Sequence, residues 1–328
     1  MVIELSKISG KVVAGLTVAA TLVIVLLTTV NTHHNNVIPA APHLIDYAQT
    51  VGPKAGHLVL VGGGKIGADI IKKFIALAGG HRAKIVFIPT AEDDGEISTN
   101  GTSINLFTKS AGTMTDMLGE NESVIPQTFY RYGAQMVTIL HTRAPKDADK
   151  KSFVAPLTTA TGVWFTGGRQ WRLSDAYLNT RTQTELVSLL NRGGVIGGTS
   201  AGATIQGSYL VRGSTSSNAV VEGNRTIGFG FIKNSAIDQH VLVRHRVYDL
   251  IPLIEENPSL LGIGLDEQTA IIVHADRFEV IGKSVVAITD ARRLDMRTQS
   301  ISKNAASKSI YFVGNAQWFD LVKRSILN

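Results

Sequence analysis

The sequence predicts an α/β fold, a mostly parallel sheet covered by helices on both faces. Two patterns and one bound predict it. Short apolar runs recur without polar alternation, the mark of strands buried on both faces. Stretches with helical periodicity separate them, so strand and helix alternate along the chain. The bound is size: 328 residues, 44% hydrophobic and 18% charged, supply a large core and exclude a wholly disordered protein.

The elements follow in order. Residues 12–30 (VVAGLTVAATLVIVLLTTV) carry no charge and are long enough to cross a bilayer as a helix. Lys7 and Lys11 precede this segment, and the next Lys or Arg is Lys54. That asymmetry predicts an inward N-terminus and an exported remainder, periplasmic or extracellular. Residues 1–30 are therefore expected to be a membrane anchor or a cleaved signal peptide. Residues 31–54, with His33, His34 and several prolines, read as a linker. Residues 55–328 are then expected to form one domain. Its strands are expected at 57–61, 84–89, 136–140, 162–166 and 194–198, with helices at 68–78, 151–159 and 181–191. Residues 269–282 read as a hairpin turning at Ala275-Asp276-Arg277. The polar stretch from Glu92 to Ser123 reads as a surface insertion.

Charge and cysteine content narrow the function. The 32 Lys and Arg against 26 Asp and Glu give +6 and a pI near 9.4, but the basic residues are scattered. No run suggests nucleic acid as a partner. With no cysteine, disulfide scaffolds, zinc–thiolate sites and cysteine nucleophiles are excluded.

Two glycine motifs bid for the active site. Gly62-Gly63-Gly64-Lys65-Ile66-Gly67 matches a dinucleotide-binding turn, yet the second strand ends Ile88-Pro89-Thr90 without the acid that would hold a ribose. A tight turn needing positive φ explains the same glycines. The other motif, Gly197-Gly198-Thr199-Ser200-Ala201-Gly202-Ala203, sets Ser200 at a sharp strand-to-helix turn as G-x-S-x-G. A serine nucleophile needs a base and a group to orient that base. His240, in Asp238-Gln239-His240, and the carboxylates Asp266 and Glu267 supply candidates. Their order, Ser, His, acid, is not that of the α/β-hydrolases. A metal reading of Asp238, His240, His245 and Glu267 lacks a compact ligand motif.

Four motifs in order then give a resemblance. Phe165-Thr166-Gly167-Gly168-Arg169-Gln170, the serine elbow, Asp238-Gln239-His240 and the run from Gly262 to Ala270 resemble the S51 serine peptidases, the cyanophycinase and dipeptidase E group. The likeness covers about His57 to Asp290. It implies a three-layer sandwich like the class I glutamine amidotransferase domain, a homodimer, and no metal or cofactor. It also implies Ser200 as nucleophile, His240 as general base and Glu267 as the orienting acid. Gly167, Gly168 and the Ala201 N–H match the oxyanion hole. Gln170, Asp238, Gln239, Arg244 and Arg246 match positions that shape the substrate pocket.

The implied activity is hydrolysis of aspartyl peptides, with cyanophycin, a β-linked aspartyl-arginine polymer, as the type substrate. Two residues depart from the pattern: Asp249 stands where a third arginine is expected, and Arg169 where an acid is usual. The two changes are expected either to exchange charges within one pocket or to mark a different substrate. On a helix following His240, Asp249 would share a face with Arg246 and pair with it. A non-catalytic binding protein for acidic peptides and a dinucleotide-dependent enzyme are the alternatives from other classes.

Overall fold

A computed structural model describes residues 50–93, 103–107, 125–221, 224–293 and 310–327. The apolar N-terminal segment and the linker up to Gln49 lie outside the described residues. Within them, no helix is long and apolar enough to cross a membrane.

From β1 (His57–Val61) the chain passes through α1 (Ala68–Leu77) to β2 (Lys84–Ile88), β3 (Ser103–Phe107), α2 (Ile125–Arg131) and β4 (Met136–His141). Then come α3 (Pro145–Ala148), α4 (Lys151–Thr159), β5 (Gly162–Phe165), α5 (Gln170–Tyr177), α6 (Arg181–Asn191), β6 (Val195–Thr199) and α7 (Ala201–Thr204). The last third holds β7 (Gly207–Tyr209), β8 (Ile232–Gln239), α8 (Ile251–Glu256), β9 (Leu261–Leu265), β10 (Thr269–His274) and β11 (Arg277–Gly282). It ends with β12 (Val286–Asp290), β13 (Ile310–Val313), β14 (Trp318–Asp320) and β15 (Ser325–Leu327).

The large sheet has the order β15-β14-β11-β10-β1-β6-β5-β2-β4-β3. Its centre, β1-β6-β5-β2-β4, is parallel, as the unalternating apolar runs predict. Side chains on β1 alternate between two cores. Leu58 and Leu60 join residues of α4, α5 and α6, while Val59 and Val61 join Ile70, Ile71, Phe74 and Ile75 of α1. Helices therefore cover opposite faces. The α1 residues recur at helical spacing, and Phe74 meets Trp164 edge-on at 4.9 Å. Burying such a ring contributes roughly 2–3 kcal/mol. Trp164 also lies where any Cβ on Gly197 would overlap it, so the glycine makes room for the indole.

The expectation of a mostly parallel sheet needs correction: the sheet is mixed. The hairpin β10–β11 joins β1 antiparallel, with Leu58 opposite Val273, and β14 and β15 extend that wing. An apolar run records burial and says nothing of direction, so β10 and the parallel strands look alike in sequence. A second sheet, β13-β12-β9-β8-β7, escaped the sequence reading; its strands β7, β8 and β9 run parallel. The stretch expected to be a surface insertion contains β3, which pairs antiparallel with β4 at the sheet edge. Residues 94–102 and 108–124 of that stretch lie outside the described residues.

The two sheets converge on the site. The ends of β1, β5 and β6 bring in Gly62, Gly167 and Ser200, β8 ends just before His240, and Glu267 lies between β9 and β10. Carboxyl ends of parallel strands are where open α/β sheets place their ligands.

Candidate active site

Ser200 adopts φ 51°, ψ −111°, a conformation costly for a residue with a side chain. Its neighbours permit it. A Cβ on Gly198 would collide with the carbonyl of Gly202, and one on Gly202 would stand 2.5 Å from the carbonyl of Phe165. The Ser200 N–H donates to Val61 O at 2.9 Å, and its own carbonyl accepts from Ala203 and Thr204 at 3.0 Å each. The helix that follows, α7, has only four residues. So short a helix presents individual N–H groups rather than a long macrodipole.

Three side chains stand in series. Ser200 Oγ lies 3.0 Å from His240 Nε2, and His240 Nδ1 lies 2.6 Å from Glu267 Oε1. Ser200 and His240 are buried. Burial lowers the His240 pKa below its usual 6.5, and the Arg244 and Arg246 charges act the same way; the hydrogen bond to Glu267 opposes them. Asp266, the neighbouring acid, turns elsewhere. It accepts from the N–H groups of Leu242 and Val243 and from Ser284 Oγ at 2.6 Å.

The first glycine motif belongs to this site. Gly62 O accepts from the His240 N–H at 3.0 Å, and Gly63 O from the Gln268 N–H at 2.9 Å. Gly63 and Gly64 have φ of 118° and 67°. A Cβ on Gly63 would overlap the His240 ring, and one on Gly64 would stand 2.6 Å from Glu267 Oε2. These glycines thus let the loop pass against the imidazole and its acid, which is the tight-turn reading. Sequence reasoning had not linked them to the serine.

The residues expected around the oxyanion and substrate sort into two groups. Gly167 is buried; Gly168 has φ 120°, and a Cβ there would strike Ala91 O. Ala201 begins α7 directly after the serine. Gln170 and Asp238 are buried and engaged within the protein. Gln170 Nε2 donates to the carbonyls of Val211 and Arg212, at 2.9 Å each. Asp238 holds Arg212 through both oxygens, at 2.8 and 2.7 Å. Arg246 Nη1 reaches Gln239 Oε1 at 3.3 Å, and Arg244 is exposed.

Two expectations fail at the departures. Residues 241–250 form successive turns rather than a helix, and Asp249 Oδ2 binds Arg212 Nη2 at 2.7 Å instead of Arg246. Arg169 bonds Asn218 Oδ1 at 2.6 Å, the residue whose carbonyl accepts from Arg212. Arg212 is the functional candidate that sequence reasoning missed. A single arginine in Leu210-Val211-Arg212-Gly213 carries no motif, and only the fold sets it against Asp238. Among the described residues no group of three His, Asp or Glu side chains is placed to hold a metal.

A serine, an imidazole and a carboxylate in series at the carboxyl ends of an α/β sheet define a serine hydrolase. The sequence comparisons agree and go further. The model of peptidase family S51 matches residues 106–281, more than half of the chain, and the chain belongs to that family. A cyanophycinase of Geminocystis herdmanii is 30% identical over 234 residues, 70% of this chain and 77% of that protein. A cyanophycinase of Nostoc sp. is 32% identical over 236 residues, 70% of each chain. Among solved structures, a peptidase from an acI-B1 Actinobacterium superposes with a TM-score of 0.57 at 22% identity, over 82% of this chain and 98% of that one. This last likeness is one of fold.

Proposed function

We propose that the protein is a serine exopeptidase that hydrolyses aspartyl peptide bonds, β-linked in the first instance, through an acyl-enzyme on Ser200. The observation that carries this reading is the Ser200–His240–Glu267 series at 3.0 and 2.6 Å. His240 Nε2 takes the hydroxyl proton as Oγ attacks the carbonyl carbon, and the C–O bond forms. The oxyanion is held by N–H groups of Gly168 and Ala201, beside Gly167. Each such donor contributes about 3–4 kcal/mol by analogy with other serine hydrolases. His240 then gives the proton to the leaving amine as the C–N bond breaks. Water, deprotonated by the same imidazole, displaces Ser200 and releases the acid. Glu267 fixes the tautomer with Nδ1 protonated and stabilises the imidazolium.

On the substrate side, Arg244, Arg246 and Gln239 face the peptide, while Gln170 and Asp238 shape the wall behind them. The test is incubation of the soluble domain, residues 45–328, with cyanophycin and a panel of β-aspartyl dipeptides, read by mass spectrometry. Cleavage by wild type and none by Ser200→Ala supports the reading; no cleavage of any member sinks it. The Lys7 and Lys11 asymmetry around residues 12–30 supports export, with that segment as anchor or signal. Protease that digests the domain in cells with the outer barrier opened checks it. A homodimer is the assembly the family resemblance implies, and light scattering tests it.

A further inference from the structure

Arg212 is buried, has φ 55°, and sits at the centre of an unusual convergence. Its guanidinium grips Asp238 bidentately and Asp249 through Nη2, and it donates to the carbonyl of Asn218. Gln170 fixes its backbone by holding the carbonyls of Val211 and Arg212. A positive φ at a residue with a long side chain persists only where surrounding contacts over-determine it.

The consequence lies at the neighbouring cations. Arg244 and Arg246 have no carboxylate within ion-pair distance among the described residues. Two carboxylates act on Arg246: Asp238, the stronger, and Asp249, which lies three residues on and whose backbone N–H donates to the Arg246 carbonyl at 3.0 Å. Arg212 holds both, and of the two only Asp249, on the 241–250 turns, is partly exposed. Burial first, then the Arg212 and Arg244 charges, lower the Arg246 pKa, and the Asp238 and Asp249 charges only partly offset them. Such a group gains by pairing with an incoming anion.

We propose that Arg212 is a positioning residue that keeps Asp249 off Arg246, so that Arg246, bonded only to Gln239 among the described residues, takes a substrate carboxylate as its ion-pair partner. The proposal rests on the hydrolase reading for its substrate class, and it deepens that reading by naming what sets the charge of the pocket. Lysine cannot reproduce the fork that grips Asp238 with two nitrogens while holding Asp249. Arg212→Lys therefore keeps the charge but releases Asp249 toward Arg246.

The test measures binding of the β-Asp-Ala dipeptide to protein carrying Ser200→Ala, by calorimetry. We expect Arg212→Lys to weaken binding about tenfold, and adding Asp249→Asn to restore it to within about threefold. Asp249→Asn in the Arg212 background should change binding less than about twofold, since its carboxylate is already occupied. A merely structural role for Arg212 would not be rescued by removing Asp249. If Arg212→Lys does not fold, Arg212→Gln with Asp238→Asn, which removes the buried charge together with its partner, takes its place with the same rescue expected. Unchanged binding in the Arg212 variants, failure of Asp249→Asn to restore it, or no binding of the dipeptide at all would overturn the inference. The hydrolase reading fails separately, when Ser200 of wild type resists a fluorophosphonate probe while the binding pattern holds.

Discussion

The Ser200–His240 side of the site and the wall proposed to face substrate are built by opposite means. Around Ser200 and His240, glycines set the geometry: Gly63, Gly64, Gly198 and Gly202 let backbone and side chains approach closely. On the wall, one guanidinium does it, with Arg212 joining Asp238, Asp249 and the Asn218 carbonyl. Geometry held by missing Cβ atoms tolerates no added atom. Geometry held by charge responds to the identity and number of the charges. The two regions should therefore fail differently under mutation.

The largest effect is expected at the reacting atom. Ser200→Ala should lower kcat/KM by at least about 10³ while leaving the thermal midpoint within a few degrees, because it removes one oxygen. Retention of more than a few per cent of turnover would place the nucleophile elsewhere. Next comes Gly63→Ala, whose methyl would overlap the imidazole and whose φ of 118° disfavours a side chain. It should cost about 10² in kcat by displacing His240, with a lowered melting temperature. A variant with normal kcat would separate the glycine loop from the site.

pH gives a smaller effect that sharpens the same contrast. The imidazole must be neutral to act as base, and the His240 pKa is depressed by burial, so kcat/KM should rise with pH around a midpoint below 6.5. A midpoint above 7 would contradict the dominance of burial over Glu267. Stability carries the same sign. His57, stacked on His274 at 4.4 Å, is also depressed by burial first and by His274 second. Below pH 6.5 the unfolded chain binds these protons before the folded one, so stability falls as pH drops through 6.5 toward the folded values and then levels. Calorimetric midpoints between about pH 8 and 5 check this; a midpoint that rises on acidification would refute it.

The smallest effect belongs to the exposed arm of the wall. Asp249→Asn should change stability by less than about 1 kcal/mol in a denaturant titration, since the Asp249 side chain is 37% exposed. Asp249→Arg should instead harm the wall, because Asp249 pairs with Arg212 rather than with Arg246 and the change sets a cation against Arg212. Tighter binding of acidic peptides by that variant would break the comparison.

How legible the protein was in its sequence follows the same division. The parallel strands were readable because burial on both faces leaves runs such as HLVLV and GVWF without polar residues. Ser200 stood out at a strand-to-helix turn, but the residues alone left the acid open between Asp266 and Glu267, and only the family resemblance assigned His240 and Glu267 their roles. Strand direction in the antiparallel wing was not readable, since burial alone shaped β10. β3 lay hidden in a polar stretch at a sheet edge. Arg212 and its acids come from positions 26 and 37 residues apart in the chain, joined only when β8 and the 241–250 turns pack together. Asp249 was misread for a related reason: a helix assumed after His240 put it beside Arg246, whereas His240 at φ 56° and His245 at φ 56° break the segment into turns.

Ser200, His240 and Glu267 should act as one unit. The rate at which a fluorophosphonate probe labels Ser200, measured by intact mass in wild type, His240→Ala and Glu267→Gln, tests this most directly. We expect fast labelling confined to Ser200 in wild type, a loss of at least about 10³ in His240→Ala and a smaller loss in Glu267→Gln. Equal labelling rates in all three proteins, or modification of another residue, would contradict the account.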